Sequence, residues 1–124
     1  MGYLAFVVEH DLQNTFVSDA AHERFFAHHV TLKFPATEAD LAEVEARYGN
    51  PTQFIVSGYG DDGSVDCYTG DFGNGVDTQV GSDTKLHMTL SCSKESQPVM
   101  AKHAAVLATS IPRFKITGKV VLVP

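Results

Sequence analysis

Two tetrapeptides carry residue types suited to acid–base chemistry. His29-Val30-Thr31-Leu32 and His87-Met88-Thr89-Leu90 share the pattern His-x-Thr-Leu, and each lies in an apolar, alternating run that reads as a β-strand. Residues i and i+2 of a strand face the same side. His and Thr therefore project together, while Val30, Leu32 and Phe34, or Met88, Leu90 and Cys92, point into a core. Imidazole has an unperturbed pKa of about 6.5, so near pH 7 one ring can be neutral and the other protonated. The neutral ring can take a proton from water or a ribose hydroxyl as it attacks phosphorus, and the protonated ring can give one to the leaving oxygen. The Thr31 and Thr89 hydroxyls can donate to the non-bridging oxygens as charge builds. Which histidine is base and which is acid stays open at this level.

The same alternation adds Lys33 to the His29 side and Lys85 and Ser91 to the His87 side. Either lysine can bring positive charge to a phosphate, or snorkel to solvent from a strand end. Tyr3, Phe6, Tyr59, Tyr68 and Phe72 can stack on a base or fill the core. His28 has the opposite parity to His29 and is expected to face away. His22-Glu23 does not open a zinc motif, because Phe26 stands where the second histidine would be. No metal or other cofactor is implied.

The repeat extends beyond the tetrapeptides. Each is followed by a helical stretch and then by a strand, Phe54-Ile55-Val56-Ser57-Gly58 or Phe114-Lys115-Ile116-Thr117-Gly118. This reads as an internal duplication. A matched pair of x-Thr-Leu sequences after histidine would arise by chance roughly once in a few thousand such chains, whereas one His-x-Thr alone means little.

The elements that must position these residues follow from pattern and punctuation. Strands are expected over Tyr3–Glu9, His28–Phe34, Gln53–Tyr59, Val65–Phe72, Lys85–Cys92 and Phe114–Val123. Ala20 to Phe26 suggests a helical turn. Thr37 opens a helix with Asp40 as its capping-box partner, Leu41, Val44 and Tyr48 as its apolar stripe, and Gly49-Asn50-Pro51 as its stop. Asp61-Asp62-Gly63 marks a hairpin turn. Residues 73–84 are polar and glycine-rich, a loop that can act as a lid over a substrate. A second helix has Pro98 near its first turn and a stripe of Met100, His103, Ala104, Leu107 and Ile111.

At 124 residues the chain reads as one domain, 1–124, with a single core. No apolar run approaches a membrane span, and the Tyr3–Val8 run lacks the basic flank and cleavage site of a signal peptide. Cys67 and Cys92 lack metal or redox spacing and read as small buried hydrophobes in a reducing cytoplasm. Nine Lys and Arg against fifteen Asp and Glu leave a net charge of −6. That argues against grip on a long polyanion and allows a small nucleotide or an RNA end in a local pocket.

Paired His-x-Thr motifs on strands of two related halves resemble the 2H phosphoesterase superfamily, over nearly the whole chain. Its members include bacterial LigT-like RNA phosphodiesterases, the cyclic-phosphodiesterase domain of tRNA ligases, and small viral enzymes that destroy signalling nucleotides, the anti-CBASS type among them. The motif spacing of 58 residues (87 − 29) is more similar to the small viral and tRNA-ligase members. The resemblance implies an α+β fold of two pseudo-symmetric lobes, with mostly antiparallel strands forming a central cleft and one main helix per lobe outside. It implies a metal-independent phosphodiesterase with His29, Thr31, His87 and Thr89 at the phosphate, and Tyr3, Lys33, Lys85 and Ser91 as binding residues. The expected substrate is a cyclic nucleotide, either a 3′,5′-linked cyclic di- or oligonucleotide signal or a 2′,3′-cyclic phosphate, including one ending an RNA. The expected setting is the cytoplasm, a host's if the protein is viral. A module that binds nucleotides without turnover is the reading from another functional class.

Overall fold

The chain has an α+β fold in a computed structural model that describes residues 2–9, 16, 20–48, 52–72, 86–95 and 101–124. In chain order the elements are β1 (Gly2–Val8), β2 (Arg24–Phe25), β3 (His29–Ala36), α1 (Glu38–Tyr48), β4 (Thr52–Asp61), β5 (Val65–Asp71), β6 (His87–Cys92), α2 (Ala101–Val106) and β7 (Thr109–Val123). All strand pairings are antiparallel. The strand order β6-β3-β1-β7-β4-β5 closes on itself through a β5–β6 pairing, giving a six-stranded barrel, with β2 continuing the β3 side along β6. Two lobes flanking a cleft is therefore a finer description than these strands give, because the sheet runs unbroken around the barrel.

Alternation along each strand explains the closure. Leu4, Phe6, Val30, Leu32, Phe54, Val56, Met88, Leu90 and Ile116 are all excluded from solvent and form one cluster. Aromatic edges lock its centre, with Phe72 set against both Phe6 and Phe54 at 5.3 Å between ring centroids. A barrel this small has its interior filled by side chains, so a binding site must lie outside it.

The pairings repeat between the halves. The second residues of the two tetrapeptides, Val30 and Met88, pair with each other, and so do the second residues of the two Phe-led strands, Ile55 and Lys115. Val7, Phe6 and Ala5 of β1 pair with His29, Val30 and Thr31, just as Thr69, Tyr68 and Cys67 of β5 pair with His87, Met88 and Thr89. The correspondence of pairings between the two halves thus includes β1 and β5, whose sequences do not match.

Local signals set the element ends. The capping box forms as expected: Thr37 N–H donates to Asp40 Oδ2 at 2.8 Å, and Asp40 N–H faces Thr37 Oγ1 at 3.4 Å. Val44 is buried and Leu41 partly so, against the core. Gly63 takes the left-handed backbone (φ 93°) that the hairpin turn needs. The second helix differs from its expected stripe. It ends at Val106, buries Ala104 and Ala105, and leaves Leu107 57% exposed. Gly60 explains the choice: a Cβ there would lie 2.0 Å from the Ala104 carbonyl oxygen, so the helix sits directly on β4 and only its small residues fit beneath. Ile111 belongs to β7, which begins at Thr109 rather than Phe114. Residues 24–25 are strand, not the expected helical turn. The expected lid at 73–84, together with Met100, Pro98 and the stop at 49–51, lies outside the described residues.

Candidate active site

The antiparallel pairing centred on Val30 and Met88 determines how the two motifs meet. It sets His29 across from Thr89 and Thr31 across from His87, all on the outer face of the barrel, because the residues between them fill the core. Directly opposed side chains on one face of an antiparallel pair stand roughly 5 Å apart at Cβ. The two His-Thr pairs therefore form a crossed square. A pocket of about 170 Å³ opens over it, lined by these four residues with Phe26 and His28. That is smaller than the roughly 300–1,000 Å³ of pockets that enclose a drug-sized ligand. It is large enough for a small polyatomic group, with the rest of any larger ligand outside.

The two imidazoles are not equivalent. His29 is partly desolvated, and burial is the main force lowering its pKa from the usual 6.5; the charges of His28 and His87 push the same way. A lowered pKa favours the neutral form of His29, the form a general base requires. The Tyr3 ring lies 6.0 Å from that of His29, tilted by 46°, beside the pocket but not among its described lining residues. The other aromatic candidates are taken up by the structure. Phe6, Tyr68 and Phe72 are buried in the core, and the Tyr59 hydroxyl donates to Asp66 Oδ2 at 2.5 Å.

Lys33 and Ser91 are corrections with a common cause. Each follows the leucine of its tetrapeptide, and at each leucine the strand gains a residue on its neighbour. Ala5 pairs with Thr31 but Leu4 with Lys33; Cys67 pairs with Thr89 but Asp66 with Ser91. A bulge of one residue reverses which face the following side chains take. Lys33 leaves the His29 row, and its ammonium lies 2.7 Å from Asp40 Oδ1, a bond that with the Thr37 amide holds the Asp40 carboxyl below its ordinary range. Ser91 is fully buried and donates to Asp66 Oδ1 at 2.5 Å, while its oxygen accepts from the His22 amide. Neither lines the pocket. Lys85 lies outside the described residues.

His28 reverses another expectation, since it lines the pocket beside His29 instead of facing away. Between the pairs Phe25–Ser91 and Val30–Met88, the β2–β3 side advances five residues (25 to 30) while β6 advances three (91 to 88). Two extra residues are taken up opposite Thr89, where Ala27 adopts φ 58° and its amide donates to the Thr89 carbonyl at 2.9 Å. The excursion breaks the alternation on which the expectation rested. Phe26, on the same excursion, is the pocket's apolar wall and meets the His28 ring edge-on at 6.0 Å. The only local signal for either was the doubled histidine, which does not reveal a bulge.

No protein-family model, curated protein or solved structure matches this chain.

Cys67 and Cys92 are buried thiols, and burial with the nearby Asp66 charge pushes the Cys67 thiol up to about 12. His22 Nε2 lies 2.8 Å from Asp61 Oδ1, and His103 is exposed. Among the described residues no group of three or more His, Cys, Asp or Glu side chains is arranged to hold a metal ion, and no helix is long and apolar enough to cross a membrane.

Proposed function

We propose that the chain is a metal-independent phosphodiesterase that opens a small cyclic nucleotide by two-histidine acid–base catalysis. The observation that supports this best is the crossed His-Thr square around the Val30–Met88 pair, with all four side chains on one pocket. In this reading His29, held neutral by its surroundings, takes the proton from an attacking water or ribose hydroxyl. A P–O bond forms to that oxygen and the opposite P–O bond breaks. His87 protonates the departing oxygen. Thr31 and Thr89 donate to the non-bridging oxygens as their charge rises. Each proton transfer of this kind contributes typically ~10²–10⁴ in rate. The repeated pairings support reading the two halves as pseudo-symmetric lobes, β1-β3-α1-β4 and β5-β6-α2-β7, with the reacting phosphate on their shared axis.

Among the described residues no lysine or arginine lines the pocket, and the chain is acidic. Both features favour a small substrate over a nucleic-acid tract. Cyclic di- or oligonucleotide signals of 3′,5′ linkage, in a cytoplasmic setting, are the leading class; 2′,3′-cyclic phosphates are the alternative. The test is product analysis by chromatography and mass spectrometry after incubation in EDTA with both classes and a short RNA ending in a cyclic phosphate. Linearised cyclic dinucleotides are the expected product. Opening of only the 2′,3′-cyclic phosphates would transfer the reading to RNA end processing. Intact nucleotide recovered after single-turnover incubation would leave a binding module.

A further inference from the structure

We propose that His28 is a third phosphate ligand, whose ring N–H donates to a non-bridging oxygen of a phosphodiester held between His29 and His87. The proposal deepens the phosphodiesterase reading and rests on it for the reacting phosphate, while the geometry at His28 stands independently.

The internal repeat supplies a comparison position. An offset of 58 residues takes His29 to His87 and His28 to Leu86. The backbones correspond: Val8 N–H donates to the His28 carbonyl at 2.9 Å, and Gly70 N–H to the Leu86 carbonyl at 3.3 Å. The side chains differ. Leu86 packs against the barrel core, whereas His28 is exposed at the mouth of the pocket. The two-residue excursion opposite Thr89 accompanies this difference, and it includes a fully buried, left-handed Ala27. A non-glycine residue in that conformation costs on the order of 1–2 kcal/mol, and such outliers cluster at functional sites.

The chemistry points the same way. A phosphodiester carries a negative charge through the reaction, yet the bulge at Leu32 takes Lys33 away to Asp40. His29 is disposed to stay neutral, and His87 must release its proton to the leaving group. Among the described residues, His28 is the one remaining nitrogen-bearing side chain on the pocket lining. Its backbone is held by Ala27 N–H on Thr89 O and by Val8 N–H on its own carbonyl, and its ring is set edge-on to Phe26. Those contacts fix the direction in which it can reach.

The test uses the full chain as wild type, His28→Ala and His28→Asn. Steady-state kinetics are measured on whichever nucleotide the wild type turns over, and histidine-ring NMR signals are followed during titration with inorganic phosphate. A hydrogen bond to a charged group predicts that His28→Ala raises KM about 10-fold with a smaller change in kcat, and that His28→Asn restores most of the loss by keeping a donor. Phosphate should shift the His28 ring signals and bind His28→Ala about 10-fold more weakly. A folded His28→Ala protein with KM and phosphate affinity within twofold of wild type would overturn the proposal. Absence of wild-type turnover would remove the phosphodiesterase reading alone. The titration then decides His28 by itself: shifted His28 ring signals together with weaker phosphate binding in His28→Ala support it, and unshifted signals overturn it.

Discussion

The two His-x-Thr-Leu motifs are near-copies in sequence and occupy corresponding places in the barrel, but their surroundings differ. Around the first, Tyr3 stands beside His29, and the bulge at Ala27 brings His28 and Phe26 to the pocket. Around the second, the position matching His28 is Leu86, turned to the core, and the strand after Thr89 is committed to the buried Asp66 cluster. The motif supplies the chemistry by repetition, and the flanking register shifts divide it. His29 is crowded by burial and by like charge. The repeated pairing builds the square, and the flanking segments make its surroundings unequal.

Breaking the square should have the largest effect. His29→Ala and His87→Ala are each expected to lower kcat by roughly 10²–10⁴-fold while leaving the thermal midpoint close to wild type, since both rings are only half-buried. Equal activity in either variant would end the two-histidine scheme. Next in size is the support of the second motif. Asp66 is fully buried and accepts from Ser91 Oγ, Tyr59 OH and the Ala21 amide. Asp66→Ala strands those donors and should cost about 2–4 kcal/mol in chemical unfolding. Activity per folded molecule should fall little, because the carboxylate lies off the pocket; a large loss in kcat would mean that this cluster acts on the site directly.

Thr31→Ala and Thr89→Ala should each lower kcat by roughly 10–10²-fold, less than the histidines. A markedly unequal pair would extend the asymmetry to the hydroxyls. The difference between the rings has a pH signature as well. His29 must be unprotonated to act as base, so kcat/KM should fall on acidification through a pKa below 6.5. The sign for stability follows from linkage. A histidine whose folded-state pKa is depressed binds fewer protons folded than unfolded once pH drops below about 6.5, so stability declines with acidification across that window. His29→Gln should flatten that decline, and an unchanged slope would place the depressed pKa elsewhere. The smallest effect belongs to Lys33→Ala. Its ion pair with Asp40 is solvent-exposed and off the pocket, so neither kcat nor the thermal midpoint should change measurably.

Much of this was legible in the sequence because the forces involved are local. Period-two alternation made Val30, Leu32, Met88 and Leu90 core residues and left His29, Thr31, His87 and Thr89 together on the opposite face. The Thr37–Asp40 capping box and the turn at Gly63 are likewise short-range and formed where expected. The misplacements share one origin. Lys33, Ser91 and His28 were each assigned by counting in twos from a motif histidine, and in each case a bulge intervenes. The second helix was misread for a related reason: its apolar stripe assumed a helix free to choose its own face, but Gly60 draws its backbone onto β4.

By itself, then, the sequence determined that two His/Thr pairs would face away from an apolar core on strands, because alternation and capping are written within a few residues. Only the tertiary structure decided that Val30 would lie against Met88 and cross the pairs. It also decided that His28 would join the pocket while Lys33 and Ser91 left it, and that burial would lower the pKa of His29. Bulges, cross-strand register and desolvation belong to the contact between distant segments, and no single segment encodes them.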